Sequence, residues 1–365
     1  LIQMLEELGD RAAARGDHTF GVAAYTSGVE VINLWRRRIP KDSAVENALK
    51  IAFDWKARKL GYSDLEQSCD DLVVMHFREA FHGRSGYTMS LTNTDPTKTG
   101  LFPKFKWPRI HNPAIEFAVD GGIANDVVAS EKRALAEIDA AFAAHGKKVA
   151  AILIEPMQSE GGDNHFRPEF LAALRRIADE RDALLIFDEV QTGFFGAGSP
   201  WLWQQIGVKP DIVVFGKKTQ QCGVYANTRV DEVDNNCFKL VSRINSTWGG
   251  NLTDMVRSRQ LLDIILGDKM MENIKARGEE FVRGLRRIAR ERGTFSNCRG
   301  VGSLIAFSLP SPAERDEMLS KLRERKLLAL KSGKQAIRFR LPLNLSAAEV
   351  GMALERIEAA LPARV

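Results

Sequence analysis

"ALLIFDEVQTGFFGAGSPWLWQQIGVKPDIVVFGKKTQ", residues 183–220, carries two apolar runs that each end on charge. Residues 183–187 lead into Asp188 and Glu189, and residues 212–215 lead into Gly216, Lys217 and Lys218. Runs this short and this apolar suit strands buried on both faces, as in a parallel sheet covered by helices. Upstream, "VAAILIEPMQSE", residues 149–160, repeats the pattern and ends on Glu155, Gln158 and Glu160. Between these strands, residues 167–179 read as a helix entered through Pro168, with Phe170, Leu171, Leu174 and Ile177 on one face. Strand, helix, strand in this order implies right-handed crossovers. Three neighbouring strand ends then point acid, acid and lysine at one crevice, where open parallel sheets bind ligands. A lysine held in such a desolvated place loses proton affinity and becomes a nucleophilic amine.

The rest of the chain fits around this sheet. Residues 43–59 read as a helix capped by Ser43, with Glu46 completing a capping box and Ala44, Ala48, Ile51, Ala52 and Trp55 as its apolar stripe. Residues 251–292 are helix-rich, with one stretch long enough to bridge two domains. Strand patterns at 304–309 and 336–339 alternate with helical ones at 312–324 and 346–361, as in a small α+β domain. Residues 1–15 suit an amphipathic helix, and 21–40 have no clean period. The expected plan is an atypical segment 1–42, a large domain 43–265 and a small C-terminal domain 266–365.

A net charge of +5 is spread through 365 residues without a basic face, which argues against nucleic acid as a partner. The run Arg36, Arg37, Arg38 and Lys41 reads as solvated surface. No apolar stretch is long enough to cross a bilayer, and the start of the chain lacks a signal-peptide pattern. The 4 cysteines, Cys69, Cys222, Cys237 and Cys298, lie far apart without metal-type spacing. Free thiols and a cytoplasmic location are expected, so the sequons at Asn245 and Asn251 carry no glycan. His82, His165 and Trp248 read as structural.

Several separate segments, in order, resemble the pyridoxal-phosphate-dependent class III aminotransferases. They are "FHGRSGYTMSLTN" at 81–93, "IEPMQSEGG" at 154–162, the opening stretch, "STWGGN" at 246–251 and "IRFRLPL" at 337–343. "GGDNHFRPEF" at 161–170 and "RINSTWGGNLTDMVR" at 243–257 resemble the branch of that family that acts on the ε-amine of lysine. The resemblance runs from about residue 44 to the end. It implies a fold-type I transferase: a mostly parallel sheet covered by helices, plus the small α+β domain. It also implies transfer of the ε-amine of L-lysine to 2-oxoglutarate, giving 2-aminoadipate 6-semialdehyde and L-glutamate.

The same resemblance implies roles. Lys217 stands where the family has its Schiff-base lysine, and Lys218 is a structural or exposed neighbour. Asp188 pairs with the cofactor's ring nitrogen, Gln191 with its hydroxyl, and Val190 and Phe81 lie on its two faces. Arg84 receives the α-carboxylate of lysine. Arg338 receives the carboxylate of the 2-oxo acid, with Glu160 covering it in one half-reaction and moving aside in the other. Thr247 binds phosphate from a neighbouring subunit, so a homodimer with shared sites is expected, and the cap at Ser43 offers further N–H donors. Lys41 and Asp42 stand where the family has a small-residue pair beside the phosphate. Residues 1–42 do not resemble the family's N-terminal segment, which suggests a truncated or replaced front. Alternative readings are another ω-amine donor (ornithine or 4-aminobutyrate), or a non-catalytic relative that keeps the dimeric scaffold. A decarboxylase or racemase fits the Glu160–Arg338 pair less well.

Overall fold

The computed structural model describes residues 44–244 and 250–362. The expectations for residues 1–42, for Ser43 and for Asn245, Thr247 and Trp248 fall outside them. In chain order the first elements are α1 (Ala44–Lys59), β1 (Val73–Phe77), α2 (Gly86–Leu91), α3 (Pro96–Thr99), β2 (Arg109–Ile110), α4 (Val127–His145) and β3 (Val149–Ile154). Then come α5 (Pro168–Glu180), β4 (Leu184–Asp188), α6 (Leu202–Ile206), β5 (Ile212–Phe215) and β6 (Gly223–Ala226). These strands form a six-stranded sheet in the order β2-β1-β3-β4-β5-β6. All its neighbours pair in parallel except β5 and β6. Every residue of β3, β4 and β5 is buried. That is why these strands read as unbroken apolar runs rather than as alternating ones.

Helix α1 lies on one face of this sheet, with Ala48, Leu49, Ile51, Ala52 and Trp55 wholly buried. Trp55 Nε1 donates to the Arg229 carbonyl at 3.1 Å, so the indole is packed without stranding its donor. Glu46 serves a second helix. Its carboxylate accepts from the N–H groups of Tyr87 at 3.2 Å and Thr88 at 3.1 Å, which caps α2.

The helix-rich stretch is two helices, α7 (Leu252–Gly267) and α8 (Met270–Arg292). They part at Lys269, whose backbone is left-handed at φ 51. Leu262 and Ile265 of α7 pack on Phe194 and Phe195, just after β4. Phe281, Leu285 and Ile288 of α8 pack on a second sheet. That sheet contains β7 (Ser296–Val301), β8 (Leu304–Ser308), β9 (Leu330–Ser332) and β10 (Ala336–Arg340), all antiparallel, with α9 (Pro312–Glu324) and α10 (Ala347–Ala360) against it.

The two sheets meet along a tight seam. Gly302, in the turn between β7 and β8, has φ +55, and backbone atoms of Gly196, Ala197 and Gly198 lie 2.5–2.7 Å from where a Cβ would stand. Next to it, Ser303 donates to the Gly196 carbonyl through its N–H at 2.8 Å and its hydroxyl at 2.7 Å. Replacing Gly302 by alanine should therefore both strain the backbone and push the sheets apart. We expect Gly302→Ala to cost at least about 2 kcal/mol, read as a lower urea midpoint. An unchanged midpoint would mean that the seam gives way freely.

Candidate active site

The carboxyl ends of β3, β4 and β5 open into a cavity of about 250 Å³. Its walls include Phe81, Glu155, Glu160, Asp188, Val190, Gln191 and Lys217. The residues singled out on the three strand ends therefore do converge. Not all of their polar neighbours join them. Glu189 turns away: it accepts from the N–H groups of Leu202 at 2.7 Å and Trp203 at 2.8 Å and from the Thr192 hydroxyl at 3.0 Å, and so anchors α6. Gln158 is spent on Asn112, Asn164 and the Arg78 carbonyl.

Asp188 is 5% exposed. His82 Nδ1 lies 2.8 Å from its Oδ2, and the Val190 N–H donates to its Oδ1 at 3.1 Å. His82 is itself buried, with its main chain held by the Thr92 hydroxyl at 2.9 Å. Glu155, also buried, accepts from the N–H of Phe81 at 3.0 Å and of Ser159 at 3.1 Å. It thereby fixes the backbone that presents Phe81. Burial pushes the Glu155 carboxyl up to about 7; the nearby His82 opposes this and Asp188 adds to it.

Lys217 does not extend the strand. Strand β5 ends at Phe215, and Lys217 opens a short 3-10 turn with a left-handed φ of 55. Such a backbone is uncommon for a residue with a Cβ and persists only where its surroundings hold it. Lys217 lines the cavity; the residue is exposed through the open mouth, yet the surrounding walls desolvate the amine and lower its pKa. Asp188 and Glu155 oppose this shift, while Arg338 and Arg340 reinforce it. Lys218 leaves the turn differently. Its Nζ donates to the Gln191 carbonyl, and its end passes close beneath Gly196. Burial lowers its pKa to about 8.

The cations come from farther away. Arg84 is exposed at the cavity's edge, one residue beyond the wall residue Gly83. Arg338 sits on β10, between Ala306 of β8 and Leu330 of β9. Its Nε and Nη1 are buried without a hydrogen-bond partner among the described residues. Glu160 is not on Arg338 here. Its carboxylate is ion-paired with Lys98 of α3.

Residues 42–361 match the profile of the class-III aminotransferases. The chain belongs to that family. The L-lysine-epsilon aminotransferase of Mycobacterium tuberculosis is 49% identical over 320 residues, covering 87% of this chain and 70% of that one. The enzyme of the same name from Streptomyces clavuligerus is 46% identical over 324 residues, covering 88% and 70%. Among solved structures, lysine aminotransferase from M. tuberculosis in its internal aldimine form superposes with a TM-score of 0.83 at 47% identity, over 89% of this chain and 75% of that one. This chain is thus a pyridoxal-phosphate-dependent aminotransferase.

The cavity fits the ring end of that cofactor. It offers a buried carboxylate with an imidazole behind it, apolar walls in Val190 and Phe81, and an amine of lowered proton affinity. The positions expected at the phosphate, Ser43 and Thr247, lie outside the described residues. Among the contacts the sequence reading missed are His82, read as structural, on Asp188, Cys222 in the wall, and Lys98 on Glu160. His82 adjoins the expected ring-stacking Phe81, which was its one signal.

Glu189 makes the stability of this enzyme pH-dependent. Burial raises its carboxyl from 4.5 to about 7, against the bonds from Trp203, Leu202 and Thr192. Between those two values the folded chain holds a proton that the unfolded chain releases, so stability falls as pH rises through that window. The urea midpoint should drop from about pH 5 to about pH 8, and drop less in Glu189→Gln. An identical slope in both would mean that Glu189 ionises normally.

Proposed function

We propose that this enzyme transfers the ε-amine of L-lysine to 2-oxoglutarate, releasing 2-aminoadipate 6-semialdehyde and L-glutamate. The observation that carries the reading is the 46–49% identity to relatives named L-lysine-epsilon aminotransferase. Two guanidinium groups near one amine-bearing cavity support it, because each substrate brings at least one carboxylate to be held.

When bound, pyridoxal phosphate supplies the electron sink that stabilises negative charge at the carbon bearing the amine. The protein's part is positioning and proton handling. Asp188, backed by His82, supplies the negative charge that faces the ring nitrogen. Val190 and Phe81 would hold the ring from its two sides, and Gln191 would serve its hydroxyl. Lys217 Nζ would hold the cofactor between turnovers, and would take and return the proton at the substrate carbon. Its lowered proton affinity suits it to that exchange. Arg84 receives the α-carboxylate of lysine, Arg338 the carboxylate of the 2-oxo acid, and Glu160 tempers the charge of the site between the two. Ser43 and a partner subunit's phosphate ligand at the position of Thr247 complete the reading, which includes a homodimer in the cytoplasm.

The test is direct. The purified enzyme, with pyridoxal phosphate added, should form glutamate from L-lysine and 2-oxoglutarate faster than from ornithine or 4-aminobutyrate. Faster turnover of either rival would replace the donor, and no turnover of any would favour a non-catalytic relative. Lys217→Ala should lower the rate at least about a thousandfold, whereas Lys218→Ala should lower it about tenfold or less. The reverse order would assign the chemistry to Lys218. Arg84→Met should raise KM for lysine about tenfold and leave that for 2-oxoglutarate nearly unchanged. Equal damage to both would remove Arg84 from its role.

A further inference from the structure

Lys98 stands on the short helix α3, which Asp95 caps by accepting from the Thr97 N–H at 3.0 Å. Its Nζ lies 5.4 Å from the centroid of the Phe81 ring and is ion-paired with Glu160. The Thr94 hydroxyl donates to the same carboxylate oxygen at 3.4 Å. The two side chains of the pair are only 18% and 25% exposed, so water screens them less than it would a surface pair. The backbone of Glu160 is fixed as well, since its carbonyl accepts from the Gly333 N–H at 2.8 Å. Burial lowers the pKa of Lys98, and Asp95 opposes this while Arg84, Arg338 and Lys331 reinforce it. Lys98 therefore belongs to the same electrostatic neighbourhood as both guanidinium groups. Arg338, meanwhile, has two buried N–H groups without a partner among the described residues.

We propose that Lys98 is a positioning residue that sets the balance between the two substrates: by neutralising Glu160 it keeps Arg338 open to a dicarboxylate. The inference rests on the transamination reading. A Glu160 carboxylate without Lys98 would be drawn to Arg338 and would repel a dianion at the cavity wall. The same free carboxylate would favour a cationic donor. Lys98 thus tips the site toward the dianionic acceptor, through Glu160 rather than by touching the substrate.

The experiment measures binding of glutarate, an unreactive dicarboxylate, to the cofactor-loaded enzyme by titration calorimetry. Lys98→Met should weaken binding about tenfold, and Lys98→Arg should stay within about twofold of the native enzyme. Adding Glu160→Gln to Lys98→Met should restore binding to within about threefold, because the charge that Lys98 held is gone. In steady state, Lys98→Met should raise KM for 2-oxoglutarate and leave KM for lysine unchanged or lower. Glutarate binding indifferent to Lys98→Met would overturn the proposal. So would a weakening that persists in the double variant, which would make Lys98 a direct ligand or a purely structural residue. If the native enzyme shows the expected glutarate pattern but makes no glutamate from lysine, the donor reading falls and the role of Lys98 stands. If lysine turns over and the pattern is absent, the role of Lys98 alone falls.

Discussion

The site depends on a clamp. Residues 159–163, the turn after β3, are gripped by the small sheet at several points. Arg299, 3% exposed, donates to the Asp163 carbonyl at 2.9 Å and to the Gly162 carbonyl. The Ser332 hydroxyl lies 2.7 Å both from the Ser159 carbonyl and from the Asp163 carboxylate. Arg340 closes on Asp163 at 2.7 Å. A buried guanidinium without such partners would be strongly destabilising, so these bonds hold the two sheets in one relation. The large sheet supplies Asp188, Glu155 and the lysine. The small sheet supplies Arg338 and Arg340. Together with the Gly302 seam, the clamp brings the guanidinium groups within electrostatic reach of the lysine in the cavity wall.

The clamp also accounts for the electrostatics. Lys217 lies among two acids and two guanidinium groups, and burial is the largest influence on it. Acids alone would keep its ammonium charged, and cations alone would leave nothing to face a protonated ring nitrogen. With both, the amine's proton affinity is lowered while the carboxylates stay close. Glu155 and Asp188 do this from neighbouring strands of a single parallel pair, so no loop has to order itself first.

Much of this was legible in the sequence. Strands β3, β4 and β5 announced themselves because burial on both faces leaves no room for polar residues, and that is a local pattern. The helical pattern at 312–324 coincides with α9, whose start Ser311 caps and Pro312 opens. Position-by-position resemblance placed Asp188, Val190, Gln191, Phe81 and Lys217, and all of them line the cavity. What stayed hidden was long-range. The pairing of His82 with Asp188 joins residues 106 positions apart, and neither carries a mark of the other. Lys98 on Glu160 depends on where α3 packs, which no periodicity records. The break between α7 and α8 turns on a left-handed Lys269, a residue with no special liking for that conformation.

The adjacent lysines carry a last consequence. As reagents, the ammonium groups of Lys217 and Lys218 are the same. What separates them is one backbone rotation, φ 55 at Lys217, which sends the first side chain to the cavity wall while the second runs back to the Gln191 carbonyl. Two identical side chains thus end in different surroundings because the main chain turns between them. At this point in the enzyme, chemical identity is written in the path of the main chain, and the side chain merely carries it out.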